Sequence, residues 1–171
     1  MIALLFLLAC KAATPSDAAF GIRPGDPLSK YADTATVASV QEHMYYIHPP
    51  NPSPMLVEYL VWIEPKAGAC FINANSPVWN LYRRRDDVQV FLHYQAQIKE
   101  VLEAKYGPAT FDGQNFLWGD FKHPVNDTIA QIKIVRPFDK KTGDYYLEVV
   151  YMFANFAQCV DNEKAVNQSA F

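Results

Sequence analysis

Apolar and polar residues alternate with a period of two along "MLVEYLVWIEP". Val57, Tyr59, Val61 and Ile63 share one side of an extended chain, and Glu58, Leu60, Trp62 and Glu64 share the other. "KAGA" then turns the chain, and Cys70, Ile72 and Ala74 return on a second strand, so this stretch predicts a hairpin. A second hairpin is predicted later. "DTIAQIKIVRP" reads as a strand, "FDKKTGD" as a turn, and "YYLEVVYMFAN" as a strand with Tyr145, Leu147, Val149, Tyr151 and Phe153 on one face. Between the hairpins the period changes. Phe91, Tyr94, Ile98, Val101 and Leu102 recur at helical spacing. They predict an amphipathic helix, capped by Asp86 or Asp87, that runs to about Lys105 and is ended by Gly107 and Pro108. His93 lies off this stripe and is expected at the surface.

Weaker signals fill the remainder. Phe20 and Ile22 alternate as in a short strand before a loop set by Pro24, Gly25 and Pro27. "TATVASVQEHMYYIH" predicts a strand over Glu42–His48, with a short helix as the alternative. "PPNPSP" is barred from helix and central strand, because proline lacks a donor and fixes φ, and reads as a stiff exposed connection. A short strand is predicted over Asn115–Gly119. The polar tail from Val160 reads as a short helix or a frayed end. The expected fold is α+β: an antiparallel sheet of about five or six strands, in two hairpins, packed on one long helix. The second face of that sheet carries Glu58, Trp62, Gln131 and Glu148, a mix suited to partial solvation.

Half of the 171 residues are hydrophobic, enough for one domain to build its core without metals or many disulfides. A net charge of -3 offers no basic face for nucleic acid. The run Arg83-Arg84-Arg85 is largely cancelled by Asp86 and Asp87 and reads as a solvated helix entrance. GxSxG, HExxH, P-loop and GxGxxG motifs are absent. His43, His48, His93 and His123 show no ligand spacing, so no metal site is predicted.

Two candidate sites follow. Asp120 and His123 lie close together in "WGDFKHP" near Trp118, where they can serve as an acid and base pair of a small secreted hydrolase; an ordinary polar loop is the alternative. Trp62, Trp79, Tyr82 and Trp118 form a candidate binding surface, since large stiff aromatics mark contact sites. Against that, "SPVWNLY" reads equally as a plug for the end of the sheet.

The leader "MIALLFLLA" is too short for a bilayer span, which takes roughly 20 residues. It fits the hydrophobic region of a secretory signal, about 7–15 residues, although no basic stretch precedes it. Leu7-Leu8-Ala9-Cys10 resembles the lipobox of bacterial lipoproteins, over these four residues. The resemblance implies cleavage before Cys10 and a diacylglyceryl anchor on its sulfur. Lys11, in place of the retention aspartate of that class, leaves outer-membrane sorting open. Residues 1–19 are then signal and tether, and 20–171 a single domain. Two other outcomes remain open at this point: cleavage later, within "TPSDAAF", to give a soluble secreted protein, or a cytosolic protein that keeps the leader as a buried strand.

Export fixes the reading of the other two cysteines. Cys70 and Cys159 are the pair left in an oxidising compartment, which predicts one disulfide clipping the chain's tail to its early hairpin. Two free, buried thiols are the alternative. No CxxC pair or zinc-ligand spacing is present. The sequence therefore predicts a non-enzymatic cell-envelope protein, lipid-anchored or periplasmic, that binds another protein or an envelope polymer and needs no cofactor.

Overall fold

The alternating segments pair as their pattern requires, into an antiparallel sheet larger than expected. A computed structural model of the protein describes residues 18–40, 42–80, 82 and 86–169. The segment expected to be a leader, with Cys10, the part of the expected tether over residues 11–17, and the Arg83–Arg85 run lie outside the described residues. The strands are β1 (Thr36–Ser39), β2 (Met44–Tyr46), β3 (Glu58–Glu64), β4 (Gly68–Asn75), β5 (Trp79–Asn80), β6 (Thr110–Phe111), β7 (Phe116–Trp118), β8 (Ile129–Val135), β9 (Asp144–Tyr145) and β10 (Glu148–Phe153). The helices are α1 (Asp87–Tyr106) and α2 (Phe156–Ser169), with a 3-10 turn at Leu28–Tyr31. Among the described residues the main sheet has eight strands in the order β1-β2-β3-β4-β10-β8-β7-β6, and β5 and β9 form a separate two-stranded ladder. The two expected hairpins meet where β4 pairs with β10.

One face of the sheet is the core. Tyr59, Val61 and Ile63 of β3, Ile72 and Ala74 of β4, Val149, Tyr151 and Phe153 of β10, and Ile132 and Ile134 of β8 are all buried there. Each valine, isoleucine or phenylalanine among them contributes about 1.5–3 kcal/mol when fully removed from water. Helix α1 covers this face with Phe91, Gln95, Ile98 and Leu102, an i, i+4, i+7, i+11 stripe. Val101, expected in the stripe, flanks it and is 57% exposed, and Gln95 takes the buried position instead. Asp86 precedes the helix but makes no side-chain cap bond. Gly107 ends it with a positive φ of 84°, and its carbonyl accepts the indole N–H of Trp118 at 2.8 Å.

Three short expectations need correction. Phe20 to Ile22 is a tight turn rather than a strand. Phe20 and Gly21 both have positive φ, and Ala19 and Ile22 exchange backbone hydrogen bonds across them. The strand expected over Glu42–His48 shrinks to β2, because a turn that includes His43 (φ 52°) sends the chain back along β1. Tyr145 leaves its expected strand for β9, although it and Leu147 still enter the core.

The larger departure is the second face, where α2 packs. Phe156, Cys159 and Val160 of α2 meet Met44, Trp62, Ala67, Cys70 and Phe71. Cys159, expected beside a strand, therefore sits on a helix. Strict alternation would place Cys70 with Ile72 and Ala74, under α1. A β-bulge prevents this. Trp62 pairs with Phe71 while Ile63 pairs with Ala69, so Cys70 is the extra residue, and it joins Phe71 on the α2 face. There it forms the disulfide with Cys159, the two Cα atoms 6.3 Å apart. Polar contacts complete the clasp. Asn155 Nδ2 donates to the carbonyls of Ala67 and Ala69 at 3.0 and 3.1 Å. Glu64, 3% exposed, accepts the backbone N–H groups of Lys66 and Ala67 and the side-chain amide of Asn162, at 2.9, 2.6 and 2.9 Å. Gly68 is obligatory beside them: its φ is +71°, and a Cβ would lie 2.2 Å from the Gly25 carbonyl oxygen. Beyond α2 this face carries Glu58, Gln131 and Glu148, all at least partly exposed.

Two predictions follow from the clasp. The bridge joins residues 89 apart, and closing such a loop restrains the unfolded chain by about 4–5 kcal/mol on the chain-entropy account. The double variant Cys70→Ala/Cys159→Ala, which buries no new hydroxyl, should lose that order of stability in urea unfolding. An unchanged midpoint contradicts the assignment. Glu64 is the second test. Burial raises its pKa, but the hydrogen bonds from Asn162, Ala67 and Lys66 outweigh burial and hold it below the ordinary 4.5. Its contribution is thus complete above pH 4.5 and is lost as pH falls through the lowered folded value. Glu64→Gln should cost about 1.5–3 kcal/mol at neutral pH and flatten the acid limb of the stability profile; a parallel profile contradicts it.

Candidate functional site

The aromatic surface expected from sequence does not form. Trp62, Trp79 and Trp118 are 7%, 9% and 3% exposed. Trp62 lies under α2, edge-on to Phe156 with ring centroids 5.5 Å apart. Trp79 packs against Phe91 and Tyr94 at 5.7 and 5.1 Å, so within "SPVWNLY" it is Trp79 that packs into the core, while Val78 and Tyr82 stay exposed. Trp118 is tied to the end of α1. Tyr82 alone of the four is at the surface, and its hydroxyl donates to the Lys140 carbonyl at 3.1 Å.

Asp120 and His123 are brought together, with Nδ1 of His123 3.5 Å from Oδ1 of Asp120. Both are exposed on an open loop. The same Asp120 oxygen accepts the backbone N–H groups of Lys122 and His123 at 2.7 Å each. Those backbone bonds, that from His123 first, hold the carboxyl below its usual range. The carboxylate organises the turn, and no cleft encloses the pair to exclude water or position a substrate. Among the described residues no three His, Cys, Asp or Glu side chains converge as metal ligands. Nor is any helix among them long and apolar enough to cross a membrane.

A concave feature lies elsewhere. A groove of about 530 Å³ opens between the first turns of α1, the end of β8, the β6–β7 turn and β9. Val88 and Leu92, one helical turn apart, form one wall with Phe91 at its base. Val135, Pro137 and Phe138 form the other, and Tyr145 closes the inner end. Pro137 cannot extend the β8 ladder, and the chain leaves the sheet there. It returns through Phe138, which bridges to Tyr145, and a turn in which Asp139 accepts the Lys141 and Gly143 N–H groups. Leu92 and Phe138 stand at the mouth, 46% and 43% exposed.

Polar groups enter this groove at one end. In the β6–β7 turn Asp112 Oδ1 accepts the backbone N–H of Asn115 at 2.7 Å and that of Gln114 at 2.8 Å. These bonds hold its carboxyl below the ordinary range, with Asn115 contributing most. They also turn the Gln114 carbonyl toward Arg136, whose Nε and Nη2 both donate to it. The guanidinium lies over the exposed ring of Phe111, 5.9 Å from its centre. Arg136 is the one charged residue lining the groove, and no carboxylate among the described residues lies within ion-pair distance of it. Tyr145 has its phenol pKa raised, by burial first and by the charge of Asp87 second, so it stays protonated.

Sequence reasoning missed this site because it joins four stretches far apart in the chain. The available signal was misplacement: Leu92 is a large apolar residue on the side of α1 that the stripe leaves to solvent, and Phe138 is one inside a predicted turn. The chain was compared with protein-family models, with curated proteins and with solved structures, and nothing in any of the three matches it.

Proposed function

We propose that this chain is a non-enzymatic protein of the bacterial cell envelope, carried out of the cytoplasm by its leader, and that it works by binding through the groove between α1 and the β8–β9 segment. The observation that carries the reading is the pairing of a core disulfide with an open apolar groove. The Cys70–Cys159 bridge is fully buried, as suits a chain that folds in an oxidising compartment. The groove brings the exposed Leu92 and Phe138 together, with Phe111 under the Arg136 guanidinium beside them, while the tryptophans are buried in the core. Apolar surface left open in one place, with one fixed polar group beside it, is the ordinary build of a contact site. The lipobox-like Leu7-Leu8-Ala9-Cys10 supports attachment to the membrane through Cys10.

Two measurements in the native host test this. Metabolic palmitate labelling should tag the wild-type chain and not Cys10→Ser; equal labelling of both, or none of either, removes the anchor. A photoreactive phenylalanine analogue at position 138 should crosslink to an envelope component. The same group at Val37, on the opposite edge of the sheet, should not. Equal crosslinking from both positions contradicts the assignment of the groove.

A further inference from the structure

The groove's chemistry narrows what it takes. We infer that it binds a small amphipathic anion, a carboxylate on a hydrocarbon tail, with the tail along Leu92, Phe91 and Phe138 and the carboxylate on Arg136. This rests on the groove being the contact surface and adds the class of ligand. Three observations lead to it.

The first is size. About 530 Å³ falls in the roughly 300–1,000 Å³ range of small-molecule sites. The second is the lining, which is apolar on both walls over its length and has no acidic residue. The third is the state of Arg136. A guanidinium has five N–H donors, and the Gln114 carbonyl occupies two of them. The two bonds to one carbonyl and the Phe111 ring beneath fix the plane of the group, so the remaining donors are oriented before any ligand arrives. A fixed, charge-unpaired guanidinium at the end of an apolar trough matches a carboxylate, which it can meet with two parallel hydrogen bonds. Asp112, in the same turn as Gln114, is engaged by the N–H groups of that turn, and Asp87 accepts the Asn80 N–H.

Titration calorimetry of the purified chain with decanoate and with decanol, both below their aggregation thresholds, tests the inference. Decanoate should bind at least tenfold more tightly than decanol. Arg136→Met keeps the length of the side chain at an exposed position and should bring decanoate down to the level of decanol while leaving decanol unchanged. Leu92→Glu should abolish both. Decanoate binding no better than decanol, or surviving Arg136→Met, overturns the anion assignment and leaves the groove itself standing as a contact surface. Binding of neither compound overturns the ligand class altogether. The crosslinking contrast between positions 138 and 37 then decides separately whether the groove contacts anything.

Discussion

One extra residue in β4 sets the arrangement of the second sheet face. Without the bulge opposite Trp62, Cys70 would project with Ile72 and Ala74 into the core under α1, on the wrong side of the sheet from Cys159. With it, the sulfur emerges beside Trp62 and Phe71 and meets α2. A strand that alternates strictly cannot offer adjacent residues to one face, and a bulge can. The clasp that results is covalent at Cys70–Cys159 and polar at Glu64–Asn162 and at Asn155 with Ala67 and Ala69. It holds a short helix that carries few apolar residues of its own. The segments that build the groove all lie between Cys70 and Cys159, inside the loop the disulfide closes.

The division of labour between the two helices follows from their sequences. Helix α1 has enough apolar length to pack by burial, and its register is set by Phe91, Ile98 and Leu102. Its first turns then serve a second purpose, because Val88 and Leu92 continue past the edge of the core and become the wall of the groove. Among its described side chains helix α2 packs Phe156, Cys159 and Val160 against the sheet, about one turn, which is little to dock it by hydrophobic contact alone. The bridge and the buried carboxylate of Glu64 supply what its sequence lacks.

This contrast also explains which parts were legible beforehand. The two hairpins and α1 are written locally, in a period of two and in a stripe closed by Gly107 and Pro108. The disulfide was readable by a different route, from an even pair of cysteines behind an apolar leader. The sheet was underestimated because β1 and β6 are four and two residues long and carry little periodic signal, whereas β7 lies within the short strand expected over Asn115–Gly119. The tail from Val160 was read as a short helix or a frayed end; α2 takes the first form but begins earlier, at Phe156, since one apolar turn does not mark its start. The tryptophans misled for a physical reason: an aromatic ring in a half-polar segment is equally at home under a helix or in water, and packing decides. Nothing local marked Arg136 as special, because its role depends on the Gln114 carbonyl and the Phe111 ring, which come from a hairpin more than twenty residues earlier.

The Cys70–Cys159 bridge underlies both the second sheet face and the oxidising compartment. Peptide mapping by mass spectrometry, on protein taken from its native host and alkylated before digestion without reductant, reads this directly. Peptides containing Cys70 and Cys159 should appear joined to each other, with neither alkylated. Finding them separate and alkylated, or either one joined to Cys10, would contradict it.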